Sequence, residues 1–401
     1  MRRAVITGVG VVSPAGNTQE EFFGRLLSGE SFIGEIDRFD ASRYPSHHAG
    51  LVSDPGREEI FSKRLIKKLD RFSHMALSAS DAAFKDSAID LEAENKENIG
   101  IAFGNALGGW SFAEEELRDL WTHGIREVSP YQATAWFPAA PQGQVSIFYG
   151  LKGFSKTIIS DIASSHMAIA YAARAVMMGR ADVMLAGGAE APVSPYALLC
   201  CNTSGELSRT GRYRPFCKGR NGYIIGEGAA VLVVEEMGRA VARGARIYAE
   251  IKGFGHTSDG MHPIIPDTSG EGMGRAMTMA MREANIAASG IGMAIPSANA
   301  GKYADLSEGR AFLKIFGSGV NELPFYSPKP QIGNSLGASG ALDTAFACMA
   351  LNNGETPCLN VDEPEFDFFG GGGKIKLAKD NIIINSIGRG GVNACLVIGK
   401  S

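Results

Sequence analysis

One stretch, Thr157 to Glu190, constrains the fold of this chain more than any other. A β-branched run, Thr157-Ile158-Ile159-Ser160, turns at Asp161-Ile162-Ala163 into an Ala-rich helix ending at Gly179, and an apolar strand closing on Gly187-Gly188 follows. Ala168, Ala170, Ala172, Ala173 and Ala175 let backbones approach closely, so the pattern predicts a helix buried between layers rather than one on a surface. A strand-to-helix corner commonly seats a nucleophile, because the side chain is exposed at the strand end and aimed by the helix N-terminus. Here the corner holds Ile162 and Ala163. Neither has anything to attack with.

A chain of 401 residues, 45% of them hydrophobic, can bury two ordinary cores or one fold built from two similar halves. A net charge of −4 gives no basic footprint, which excludes nucleic acid as an expected partner. Met1-Arg2-Arg3 runs directly into the apolar Ala4-Val5-Ile6-Thr7 with no signal-peptide pattern, and no stretch approaches the roughly 20 apolar residues of a membrane span. Six cysteines form no CxxC pair and no metal-ligand spacing. The expectation is a reduced, cytoplasmic protein with no metal, no cofactor and no membrane partner.

Along the chain, Ala4 to Gly10 reads as a buried strand, and Thr18 to Glu21 has capping-box spacing before a helix through Leu27. Gly8-Val9-Gly10 lacks the third glycine of a dinucleotide loop, and Pro14 interrupts any helix after it. Helices are expected over Leu69–Ser87, Trp110–Trp121 and Ala133–Tyr149, with strands over Ile99–Gly104, Asp182–Gly187 and Ala229–Glu235. The stretch between Gly188 and Asn221 reads as irregular. Strand–helix alternation restarts near residue 247, with helices over Gly272–Ala288, Asp305–Phe316 and Leu336–Leu351 and closing strands over Ile382–Ile387 and Ala394–Ile398. This suggests a duplicated α/β unit, 1–246 and 247–401.

Several of these pieces together resemble the β-ketoacyl-acyl-carrier-protein synthases: Val5 to Gly10 with Ser13-Pro14, Gly108-Gly109, Ala181 to Glu190, Gly226 to Ala229, Leu336 to Ala341, and Asn385-Ser386 with Gly390 to Asn393. The resemblance implies a thiolase-like α/β fold of five layers, αβαβα, in two pseudo-symmetric halves, usually dimeric. The family's chemistry uses a cysteine at the buried-helix corner and two histidines, for covalent and oxyanion catalysis. On this chain those positions fall on Ala163, Ser297 and Asn334, while the supporting lysine and acid fall on Lys329 and Asp343. The gating loop appears as Ile387-Gly388-Arg389-Gly390-Gly391, where Arg389 either plugs the pocket entrance or faces solvent.

Three replacements together imply loss of the condensation chemistry. The segment from Leu117-Arg118-Asp119-Leu120-Trp121 to Leu151-Lys152-Gly153 looks like the chain length factors, or ketosynthase-β subunits, of type II polyketide synthases. That resemblance implies a catalytically silent subunit which pairs with a cognate ketosynthase-α, shares its acyl carrier protein and phosphopantetheine-bound polyketide, and limits chain length. An alternative is a malonyl-carrier decarboxylase or priming subunit. Trp110, Ala113, Glu114 and Leu117 share a helix face by spacing, and the resemblance makes Trp110, Ala113 and Leu117 a tunnel wall, against the reading of an ordinary amphipathic helix. Trp136, Ile158 and Ile159 are the candidate interface. Ser164 with His166 as its base is a weaker nucleophile reading, because such close neighbours on a helix point apart. Cys200 and Cys201 show no activating environment, and Lys329 with Asp343 reads chiefly as a retained structural ion pair or hydrogen-bond network.

Overall fold

In the computed structural model the long runs of Val, Ile and Ala form strands buried on both faces, which is why they read as near-continuous apolar segments rather than alternating ones. Residues 2–56 and 60–401 are described, so Met1 of the opening run lies outside them. The first half contains β1 (Ala4–Val12), α1 (Gln19–Leu27), β2 (Ile33–Glu35), β3 (His48–Gly50), α2 (Lys63–Ile66), α3 (Arg71–Ser87), β4 (Ile99–Gly104), α4 (Trp110–Thr122) and α5 (Gln132–Ala135). It continues with α6 (Ala140–Tyr149), β5 (Ser155–Ile158), α7 (Ser164–Met177), β6 (Val183–Glu190), α8 (Pro195–Thr203), β7 (Ile225–Gly226), β8 (Gly228–Glu236) and α9 (Met237–Ala242). The second half contains β9 (Ala249–Ser258), α10 (Glu271–Ala284), β10 (Met293–Ile295), α11 (Lys302–Phe316), α12 (Lys329–Ile332), α13 (Ser339–Asn353), β11 (Glu355–Pro357), β12 (Lys374–Lys376), β13 (Asn381–Gly388) and β14 (Val392–Gly399).

The strand order β10-β13-β14-β9-β1-β8-β6-β4-β5 reads outward from the β9–β1 seam as one pattern written twice. β6 pairs antiparallel with β8 and parallel with β4, and β13 pairs antiparallel with β14 and parallel with β10. At the seam only Val5↔Glu250 and Ile6↔Ala249 are in register. α3 packs on β1 and β8 in one half as α10 packs on β9 and β14 in the other, while α7 and α13 touch each other between the halves. Layers α3, sheet, α7–α13, sheet and α10 make the five-layered, pseudo-symmetric thiolase-like arrangement. The α7 alanines are buried, as a helix with a layer on either side requires.

Two elements differ from the sequence expectation. The helix expected over Ala133–Tyr149 is broken into α5 and α6 around Pro138, whose ring removes a donor and restricts the residue before it. The stretch expected to be irregular carries α8, with Ser194 as N-cap accepting from the Ala197 amide and Pro195 at the first helical position. Cys200 and Cys201 therefore lie on a helix. Elsewhere the boundaries shift by a few residues, the largest shift being the end of α10 at Ala284 before a short 3-10 turn over Ala288–Gly290.

Candidate active site

The corner between β5 and α7 is built as tightly as a catalytic corner, around a methyl group. Asp161 takes φ +53°, a left-handed conformation unusual for a residue with a side chain. Ala163 is the N-cap residue of α7 and fully buried. Its amide donates to Ser160 O at 3.1 Å. Ser164 Oγ donates to Asp161 O at 2.6 Å and accepts from the Ser160 amide at 2.8 Å, so it stabilises the corner. His166 does not pair with it. Its ring is buried, both nitrogens lack a hydrogen-bond partner among the described residues, and it lies against Gly340. Burial first, then the Lys329 charge, hold this imidazole well below its ordinary pKa.

Ser297 and Asn334 are brought together through Asn299. Ser297 Oγ accepts from the Ile387 amide at 2.9 Å and lies 3.3 Å from Asn299 Oδ1, and Asn334 Nδ2 donates to the same Oδ1 at 3.4 Å. Asn334 Oδ1 accepts from Leu336 N and Ser339 Oγ, each at 2.9 Å. Glu308 accepts from the Ser297 and Ala298 amides, and burial pushes its carboxyl up to about 7. Behind them Lys329 Nζ donates to Asp343 Oδ2, both side chains being buried; burial raises Asp343 and the Lys329 charge opposes that rise. Ala298, Ala300 and Leu336 have φ of +50°, +51° and +42°. Strained residues of this kind cost of order 1–3 kcal/mol each and persist where the surroundings over-determine them, which is typical of built sites.

A cavity of ≈ 330 Å³ borders this cluster at Asn299 and is lined beside it by Asp161, Ile162 and Gly388. Its walls come from 204–206, 220–223, 264–266 and 301–304. Arg389 lines it and is tied down: Nε donates to Glu206 Oε2 at 2.5 Å, Nη2 donates to Tyr223 Oη at 3.0 Å, and Nη1 lies 3.9 Å from Asp161 Oδ1. Burial opposes its charge, but Tyr223, Asp161 and Glu206 outweigh that, so the guanidinium stays charged. Cys201 is buried with its thiol pushed up to about 12 by desolvation, which leaves almost no thiolate, and Cys200 is exposed.

Trp110, Ala113 and Leu117 do not line this cavity. The Trp110 ring packs 4.9 Å from Tyr196 and 6.3 Å from Trp136, Ala113 is buried, and Leu117 is half-exposed. Glu114, on the same face, accepts from Ser194 Oγ, Tyr196 N and Ala197 N, capping α8. Ile158 is buried on the edge strand β5, whereas Ile159 is exposed and Trp136 half-buried. Sequence reasoning gave no role to Asn299, Glu308, Tyr223 or Glu190. Glu190 accepts from the Ala106 and Leu107 amides, and burial pushes it up to about 8. An acid closing an apolar Gly-Gly-Ala strand end was the available signal.

Residues 1–240 match the model of the β-ketoacyl synthase N-terminal domain and residues 248–362 that of its C-terminal domain. The chain is similar to a 3-oxoacyl-[acyl-carrier-protein] synthase 2 of Coxiella burnetii, 35% identical over 100% of this chain and 99% of the relative. Among solved structures it is similar to a β-ketoacyl synthase from Burkholderia phymatum (TM-score 0.92, 29% identical, 100% of both chains). It is also similar to the ishigamide ketosynthase/chain length factor (TM-score 0.91, 26% identical, 100% of this chain and 99% of that one). The full-length relatives named as synthases overturn the expectation of a catalytically silent chain length factor and of a non-enzymatic subunit. That expectation weighed three replaced side chains and gave too little weight to the rest of the chain, whose likeness to those synthases runs end to end. The chain belongs to the β-ketoacyl synthase family.

Proposed function

We propose that this chain is an enzyme of the condensing class that works on acyl thioesters delivered by an acyl carrier protein, with the ≈ 330 Å³ cavity receiving the carrier's arm. The observation that carries the reading is that the cavity is lined by Asn299, hydrogen-bonded to Asn334 and Ser297, in a chain whose full-length relatives are named 3-oxoacyl synthases. Lys302 at the cavity wall suits the phosphate of such an arm, and the Ile264-Ile265-Pro266 wall suits its apolar portions. Asn334 Nδ2, which donates to Asn299 Oδ1 at 3.4 Å, is the side-chain donor proposed for a thioester carbonyl. Ala163 cannot form an acyl-enzyme, so the condensation proposed runs between two carrier thioesters: the malonyl carboxylate leaves as CO2, the resulting carbanion attacks the acyl thioester carbonyl, and the acyl group's carrier leaves as the free thiol. Besides the carrier protein, the partner proposed is a ketosynthase chain of the same fold.

The test is incubation of the purified protein with acyl- and malonyl-carrier proteins, followed by mass spectrometry of carrier and enzyme. The expected result is 3-oxoacyl-carrier product with no adduct on residue 163, and a rate lower by about a hundredfold or more in Asn334→Ala, the scale for losing one oxyanion-type donor. Product formation no faster than in a protein-free control would overturn the reading.

A further inference from the structure

A second site lies on the β2–β3 hairpin, whose residues do not line the cavity described above. The antiparallel register sets Glu35 directly opposite His48, with His47 immediately before it. One ligand atom from each of Glu35, His47 and His48 lies within 4.8 Å of the other two. The two imidazoles sit 4.7 Å apart, centroid to centroid, at 36°. Neighbours on an extended strand point to opposite faces, so this convergence depends on His47 preceding the strand proper. His47 Nδ1 lies 3.4 Å from Tyr44 O, the carbonyl partner that fixes the tautomer of a ligating histidine and leaves Nε2 with its lone pair. On the other side the chain crosses at Gly211, φ +67°, where any Cβ would come within 2.8 Å of the His48 ring.

We propose that Glu35, His47 and His48 form a zinc site. Two imidazoles and a carboxylate are a ligand set that Zn²⁺ accepts with a fourth position left to water. Bonds of about 2.0–2.2 Å place tetrahedral ligand atoms roughly 3.4 Å apart, so the three groups close by little more than an ångström. An exposed Glu35 and two half-buried rings make that adjustment by side-chain rotation. The bound ion would fasten both strands of the hairpin together.

The test uses the full chain and Zn²⁺ alone, titrated against a chromophoric chelator, with Co²⁺ as a second probe whose visible absorption reports tetrahedral coordination. One equivalent is expected to bind, with His48→Ala weakening it by at least about tenfold and the triple variant Glu35→Gln, His47→Ala, His48→Ala abolishing both the binding and the cobalt spectrum. His123→Ala and His262→Ala should leave both unchanged, and circular dichroism checks that each variant is folded. Wild-type protein that retains no Zn²⁺, or a folded triple variant that binds as tightly as wild type, would overturn the site.

Discussion

A Cβ added at Gly340 would sit 2.0 Å from His166 Nδ1, closer than any real contact, and the ring is buried with nowhere to swing. Gly340→Ala is expected to destabilise the protein by about 1–3 kcal/mol, the range for overpacking a filled core. Urea unfolding measures it, and adding His166→Ala should recover part of the loss. Glu190 makes a second residue-scale prediction. Its folded pKa, about 8, lies above the ordinary carboxylate value, so the folded state binds a proton the unfolded chain has released. Its contribution is therefore fully present below about pH 4.5 and is lost as pH rises toward 8, with a slope of up to about 1.4 kcal/mol per pH unit. Glu190→Gln should flatten the stability profile across that window; an unchanged profile would assign the dependence to other acids. At this scale the runs around Ala163, Ser297 and Asn334 were legible by resemblance, and the structure brings Ser297 and Asn334 together through Asn299. The left-handed Asp161 and the Asn299 bridge were not, since both depend on segments far apart in sequence. Glu35 and His48 likewise meet only across a hairpin.

At the scale of elements, α4 shows how periodicity finds a face without finding what covers it. Trp110, Ala113 and Glu114 do share a side, and that side meets the start of α8, where Glu114 satisfies amides that a helix N-terminus leaves open. Glu114→Ala is expected to cost about 1–2 kcal/mol, with hydrogen exchange rising at Tyr196 and Ala197. Exchange confined to other segments would refute the capping role. The buried strands and the Ala-rich α7 were readable from composition alone, because burial on both faces permits little but Val, Ile, Ala and Gly. α8 was not readable by pattern, since its apolar residues follow no helical period. Only Ser194-Pro195 marked its start.

Across the whole molecule, the sheet ends at β5, an edge with no further strand among the described residues, whose neighbourhood exposes Ile147, Phe137, Ile159 and Tyr171. Open edges invite pairing with another chain, and clustered apolar exposure marks association surfaces. With the proposed ketosynthase partner, this edge is where the second chain is expected. Ile159→Asp should lower the fraction of complex in sedimentation velocity without altering the circular dichroism of the isolated chain. An unaffected complex would place the interface elsewhere. The duplication, by contrast, was legible in the restart near residue 247, and the strand order repeats it even though side chains differ between halves. The placement of α4 also decides what light can report about this protein. All three tryptophans fall between residues 110 and 136. Trp121 is 81% exposed, while Trp110 and Trp136 pack side by side. Intrinsic fluorescence is thus a local gauge of one corner: it will register a macromolecule settling over α4 while remaining nearly blind to the second half.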